Sequence, residues 1–319
     1  MPASYVHQSI AADACRRLGV YSAAPLSCAV RAGAEGPDPL FFSFTSAITS
    51  PGLRFLPRLA AMIHTQRTDE FLLSLMDACR GDALLEAYCC GFLSHYAADT
   101  VCHPFIYAHS LTARGRYSST MHSALEHALD TLLYRRRGHA QGLPEQMAGL
   151  ASLPPSAKDS AARAITHAAH RTFPGAAPQE TAIRRSLDQS VSLTRLLRPG
   201  ESRRVAAAAH LPFGAGRALR AHMLPPEPPP CDVANDARAP WASIWTPQEK
   251  RTESFFDLVE AAISRSCDLI EAAQQYFSGA CAYAGMRAML GGLSYASGLP
   301  WCGSSPASGA PGTRRSAAG

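Results

Sequence analysis

The sequence predicts an all-α fold, and three observations carry the prediction. Alternating apolar and polar runs of the strand type are nearly absent. Apolar residues recur instead at helical spacing in segment after segment, several opened by capping residues and closed by Gly or Pro. One stretch, residues 82–102, is almost continuously apolar over a length that strands do not reach, which marks a helix buried on every side at the centre of a helical domain.

Taken in order, residues 9–18 read as a first helix and the Gly/Pro-rich 33–38 as a loop. Residues 54–65 form the next helix, and Thr68 and Asp69 are of capping type before another over 70–79. The apolar helix begins at Asp82 and should stop before Pro104, because proline lacks an amide donor and its ring displaces the carbonyl four residues back. Residues 118–137 follow, with an expected core stripe of Met121, Leu125, Leu129, Leu132 and Leu133. Arg135, Arg136 and Arg137 close that helix, where cations suit the dipole. The Ala-rich segments 156–171 and 179–198 look helical, and five prolines within 224–230 predict an extended connector. Thr246-Pro-Gln-Glu249 offers a cap, a first-turn proline and an acid three residues on, so a last long helix is expected from about 247 to 286. Residues 291–319, rich in Gly, Ser, Ala and Pro, read as a flexible tail beyond a single helical domain at 1–290.

Composition narrows the function classes. With 319 residues, 47% of them hydrophobic, the chain can bury a sizeable core. The net charge of +5 rests on arginine, since Lys158 and Lys250 are the only lysines, and no stable nucleic-acid complex is expected. Ten cysteines show no CxxC pair and no repeated spacing, and Cys89 and Cys90 are adjacent in an apolar stretch. That usage fits reduced thiols serving as small core residues, and with no signal-like segment at the N-terminus a cytoplasmic location is expected. No apolar run approaches the roughly 18 residues of a membrane span, so membrane contact would be peripheral.

The chemistry-bearing residues concentrate in one region. On a helix, His95, Asp99 and His103 fall at i, i+4 and i+8 and drift slowly round one face. His122 and Glu126 repeat the i, i+4 relation on the following helix. Imidazole nitrogen and carboxylate oxygen are the usual non-thiolate ligands of zinc, and a carboxylate in an apolar helix needs a partner such as a metal or an imidazole. The spacing therefore points to metal ions.

Further residues stand in a recognisable order: Tyr5-Val-His7, Gly36-Pro-Asp38, Met62-Ile-His64, Gly91-Phe-Leu-Ser-His95-Tyr-Ala-Ala-Asp99-Thr-Val-Cys-His103-Pro104, and His122-Ser-Ala-Leu-Glu126. Together they resemble the zinc-dependent phospholipase C family, which shares an all-helical fold with the S1/P1-type nucleases. The resemblance covers residues 1–135, with a shorter likeness at 245–273, and leaves the middle uncovered. It implies two to three zinc ions. His64, His95 and Asp99 would hold one, His103, His122 and Glu126 a second, and Asp99 would bridge to a third bound by His7 and the amino terminus. With Met1 removed, Pro2 would supply that amine.

The resemblance places Asp38 beside metal-held water, as general base or additional ligand. Phe41 and Phe42, just after it, could wall a substrate site. Pro39 stands where the choline-cleaving members carry an aromatic residue, so the likeness does not extend to that head group. Ser94, Tyr96, Thr100 and Ser123 are near enough in sequence to orient ligands, while His109 and His127 lie off the ligand spacing and read as supporting or surface residues. The expected activity is hydrolysis of a phospholipid or another phosphodiester. The alternatives are an S1/P1-like nuclease or nucleotidase, and a zinc-stabilised binding protein without turnover.

Overall fold

The computed structural model describes residues 4–43, 55–139, 149–176, 178–197, 221 and 230–301. Among these residues there are ten α-helices, and extended pairing is confined to the isolated bridges Leu111–Tyr117, Trp241–Arg251 and Leu293–Pro300. The all-α expectation holds. The helices are α1 (Ser4–Leu18), α2 (Leu26–Gly33), α3 (Leu56–Thr65), α4 (Thr68–Cys79), α5 (Ala83–Ala108), α6 (Ser119–Arg136), α7 (Pro155–Thr172), α8 (Glu180–Leu196), α9 (Phe255–Phe277) and α10 (Tyr283–Leu290).

Helix α5 is the axis of the molecule, as its uniform apolarity requires. Asp82 caps it by accepting from the amides of Leu84 at 2.9 Å and Leu85 at 3.2 Å. Phe92, Leu93, Tyr96 and Phe105 are fully buried, each side chain worth about 1.5–3 kcal/mol on leaving water. Its principal neighbours are α9 and α2. The α2 contact is close because both helices carry glycine at the crossing. A Cβ on Gly33 would fall 1.8 Å from the Tyr88 carbonyl oxygen, and one on Gly91 2.1 Å from that of Val30. This approach fixes the end of α2 against the middle of α5, and the 3-10 turn Asp38–Ser43 that follows packs chiefly on α8 and α3.

Several expectations are corrected. Helix α1 starts at Ser4, not residue 9, so His7 lies within it, and α2 has no counterpart in the sequence reading. Thr68 is inside α4 without a capping bond; Arg67, in the left-handed conformation at φ +49°, precedes it. Helix α5 runs through Pro104 to Ala108. Pro104 deprives the Thr100 carbonyl of its helical donor, and Gly298 covers that oxygen so closely that a Cβ there would sit 2.4 Å away. Met121 is 39% exposed and leaves the expected stripe, whereas Leu129 and Leu133 are buried. Arg136 and Arg137 end α6 and pair with Asp236 and Asp13.

The last long helix starts at Phe255, not 247. Trp241 and Arg251 exchange both backbone hydrogen bonds at 2.8 Å, which spends the segment around Thr246 on a loop. Ser254 and Asp257 then form the capping box that opens α9. That helix ends at Phe277, and α10 is separate. The expected tail is also corrected in part: residues 291–301 are folded, and Tyr295 is fully buried. Residues 302–319, all of the proline-rich connector except Pro230, and Pro2 lie outside the described residues.

Candidate metal centre

Four elements and one turn converge on Asp99. It sits in mid-α5, 1% exposed, and its two oxygens face four imidazoles. Oδ1 lies 3.4 Å from Nε2 of His7 on α1 and 3.4 Å from Nε2 of His103 one turn along α5. Oδ2 lies 3.2 Å from His95, one turn back, and 3.7 Å from His64 at the end of α3. Asp38 approaches from the 3-10 turn, 3.0 Å from His64 and 3.5 Å from His95. On the other side Glu126 of α6 is 3.1 Å from His122 and 3.4 Å from His103.

These atoms form three groups that could each hold a metal ion: His7, His95 and Asp99; Asp38, His64 and His95; and His103, His122 and Glu126. The last matches the grouping the resemblance implies. In the other two, His95 stands between His7 and His64, and Asp38 joins His64 as a neighbour of equal rank.

Backbone carbonyls set the imidazoles. Nδ1 of His64 lies 2.7 Å from the Ala60 carbonyl oxygen, that of His95 3.0 Å from Ala34, and that of His103 3.1 Å from Tyr295. With the ring proton given to those acceptors, each Nε2 turns a lone pair toward carboxylate oxygens. Acceptor then faces acceptor, and Nε2 of His95 and Oδ2 of Asp99 are both buried without an aligned hydrogen-bond partner. A divalent cation resolves that arrangement, so the residues fit zinc.

The same neighbours set the charge of each group in the absence of an ion. Among the protein groups alone, burial is the largest influence and would lower His95 and His103, but the carboxylates of Asp99 and Asp38, joined at His103 by Glu126, together outweigh it and bring both up to about 9. His7 is lowered to about 4 by burial and by His95 beside it. Burial opposes ionisation of Asp38, Asp99 and Glu126, yet the surrounding imidazoles hold all three below the usual carboxylate range.

Sequence reasoning missed the residues that hold this cluster together. Tyr295 donates its amide to the His64 carbonyl at 2.8 Å, accepts from His103, and packs its ring 5.0 Å from His64 and 4.9 Å from Tyr96. Asp130, one turn beyond Glu126, accepts from the amides of Val6 at 2.8 Å and Tyr5 at 3.2 Å, so it fixes the first turn of α1 just before His7. Glu35 accepts from Gln8, Ser4 and the Gly149 amide, and burial pushes its carboxyl up to about 7. The i+4 step from Glu126 to Asp130 was the one available sequence signal. Asp130→Ala should leave two amides of α1 without an acceptor and cost roughly 2–4 kcal/mol, read as a lower denaturant midpoint in chemical unfolding.

The expected orienting side chains do other work. Ser94 bonds Ser266 at 3.0 Å, Thr100 returns its hydroxyl to the Tyr96 carbonyl at 2.9 Å, and Tyr96 donates to the Leu290 carbonyl at 2.7 Å. Ser123 is buried and lines the adjoining pocket. His109 stacks on Phe105 at 4.0 Å, and His127 is buried outside the three groups.

A pocket of about 250 Å³ opens beside the cluster, lined by Asp38, Phe41, His64, Thr65, His103, Tyr107, Tyr117, His122 and Glu126 among others. Phe41 lies 5.4 Å from His64 on its wall, and the Phe42 side chain is outside the described residues. Tyr107 and Tyr117, also in the lining, stack at 4.8 Å. None of the described lining residues is Lys or Arg. A smaller space of about 20 Å³ lies among His7, Asp99, His103 and Glu126.

Compared with known families, residues 6–183 match the model described as zinc dependent phospholipase C. The match reaches into α8, further than the motif likeness to residue 135, and does not include 245–273. No curated protein and no solved structure matches the chain.

Proposed function

The chain belongs to the zinc-dependent phospholipase C family, and we propose that it hydrolyses phosphodiesters, those of phospholipids first among them, with zinc held around Asp99. The observation that carries this reading is the facing of one buried carboxylate by four imidazole nitrogens, next to a pocket with no lysine or arginine among its described lining residues. Among the described residues, a phosphate in that pocket would find its counter-charge in the cluster.

Asp38, His64 and His95 would hold one ion with Asp99, His103, His122 and Glu126 a second, and His7 with Asp99 a third. When bound, zinc lowers the pKa of water and neutralises phosphodiester oxygens. The chain's own contribution is orientation. The carbonyls of Ala60, Ala34 and Tyr295 fix three rings, and Phe41, Tyr107 and Tyr117 give the pocket an aromatic lining. Asp38 is buried, held ionised by His95 and His64, and opens on the pocket. Its distances to two imidazoles support a ligand role over that of a free base.

Accordingly, Asp38→Asn should lose about one zinc equivalent together with at least about a hundredfold in turnover. Full zinc content with the same loss of turnover would return Asp38 to the role of base. The reading as a whole is tested by a substrate panel of phospholipid vesicles, a soluble phosphodiester and single-stranded DNA, with zinc measured in the same sample. Zinc without cleavage of any of them would overturn it.

Among the described residues no helix is long and apolar enough to cross a membrane. The nine described cysteines are free thiols, which supports a reducing compartment such as the cytoplasm.

A further inference from the structure

The pocket wall continues outward into a surface that the hydrolytic reading does not use. After α5 the chain makes a small hairpin: Leu111 bridges Tyr117, the Thr112 amide donates to the Arg116 carbonyl at 2.8 Å, and Gly115 turns at φ +69°. Arg114 and Arg116 stand exposed on it, with no acidic partner among the described residues. Tyr117 ends the hairpin inside the pocket and stacks on Tyr107, and Tyr107 meets Trp245 edge-on at 4.8 Å. Trp245 is 37% exposed, and Met121, next to His122, is 39% exposed. Glu249 and Lys250, further along the Trp245 loop, carry opposite charges.

We propose that this hairpin, with Met121 and Trp245, seats the mouth of the pocket on an anionic lipid bilayer. Indole prefers the membrane–water interface, and an unpaired arginine is drawn to anionic head groups within a Debye length. Two arginines beside two exposed apolar side chains suit that boundary better than a nucleic-acid backbone, which rewards a longer cationic track. The proposal rests on the phosphodiesterase reading only in giving the surface a purpose. Binding can be measured without turnover.

The test uses the zinc-loaded full chain and sedimentation with phosphatidylcholine vesicles, with and without phosphatidylserine. The wild type should bind the anionic vesicles, more weakly as salt rises. The double variant Arg114→Gln with Arg116→Gln should bind them roughly thirtyfold more weakly. Its cleavage of a soluble phosphodiester should be unchanged, because neither arginine lines the pocket. Equal binding by variant and wild type overturns the proposal. So does failure of the wild type to bind, or tighter binding to single-stranded DNA than to the vesicles. Arginine-dependent vesicle binding by a protein that cleaves no phosphodiester supports the docking surface and removes the hydrolase reading alone.

Discussion

Asp99→Asn is expected to lose most of the bound zinc and at least about a thousandfold in turnover, while far-UV circular dichroism stays helical. The amide has nearly the volume of the carboxylate, so the packing of α5 survives. It removes the negative charge that Oδ1 presents to His7 and His103 and that Oδ2 presents to His64 and His95. One of the two positions becomes an NH₂ donor, which occupies the lone pairs of the imidazoles facing it and offers none of its own to a cation. Three of the four rings are tied to a carbonyl, so turning to make up for the lost ligand would cost hydrogen bonds. Elemental analysis beside a rate measurement decides the matter, and wild-type zinc content in the variant would remove Asp99 from the centre of the cluster.

The second large effect is at Gly36. Gly36→Ala should lower Tm by roughly 5–10 °C and cut turnover by more than about a hundredfold. Two costs combine there. Alanine at φ +55° carries about 1–2 kcal/mol of left-handed strain, and its Cβ would lie 2.3 Å from Cδ2 and 2.4 Å from Cγ of His95. His95 has no room to yield, since its ring is fully buried, stacks on His7 at 4.3 Å and is tied to the Ala34 carbonyl. Gly19→Ala is the matched control: φ is +68°, and nothing lies within 4 Å of the new Cβ. The control should show the strain alone. If thermal melts and rates of the two variants coincide, the contact with His95 has no functional weight.

What could be read in advance divides by the range of the interaction involved. The columns on α5 and α6 were legible because helical spacing alone aligns His95 with Asp99 and His103, and His122 with Glu126. The caps Asp82 and Ser118 act within three residues of themselves. Where the sequence misled, a distant partner intervened. Pro104 should end a helix by local rules, but a glycine 194 positions later covers the carbonyl it frees. Thr246 reads as a cap, but the pairing of Trp241 with Arg251 commits its segment to a loop, and the helix opens at Ser254 instead. Asp38 was visible as a site residue, yet its closeness to both His64 and His95 follows from the Gly33–Gly91 crossing, which no periodicity announces. Tyr295 lay within Gly/Ser-rich sequence and carried no signal at all.

Tyr295 also sets an order of events. The cluster ligands among the described residues all lie between residues 7 and 126, so they leave the ribosome well before Tyr295, and the helices that carry them can begin to pack as synthesis proceeds. The backbone that aims His103 and holds the end of α3 arrives only with residue 295. A nascent chain therefore carries the described metal-binding side chains long before it has a finished site, and the stretch around Tyr295 acts as the latch that closes the cluster once the helices before it are in place.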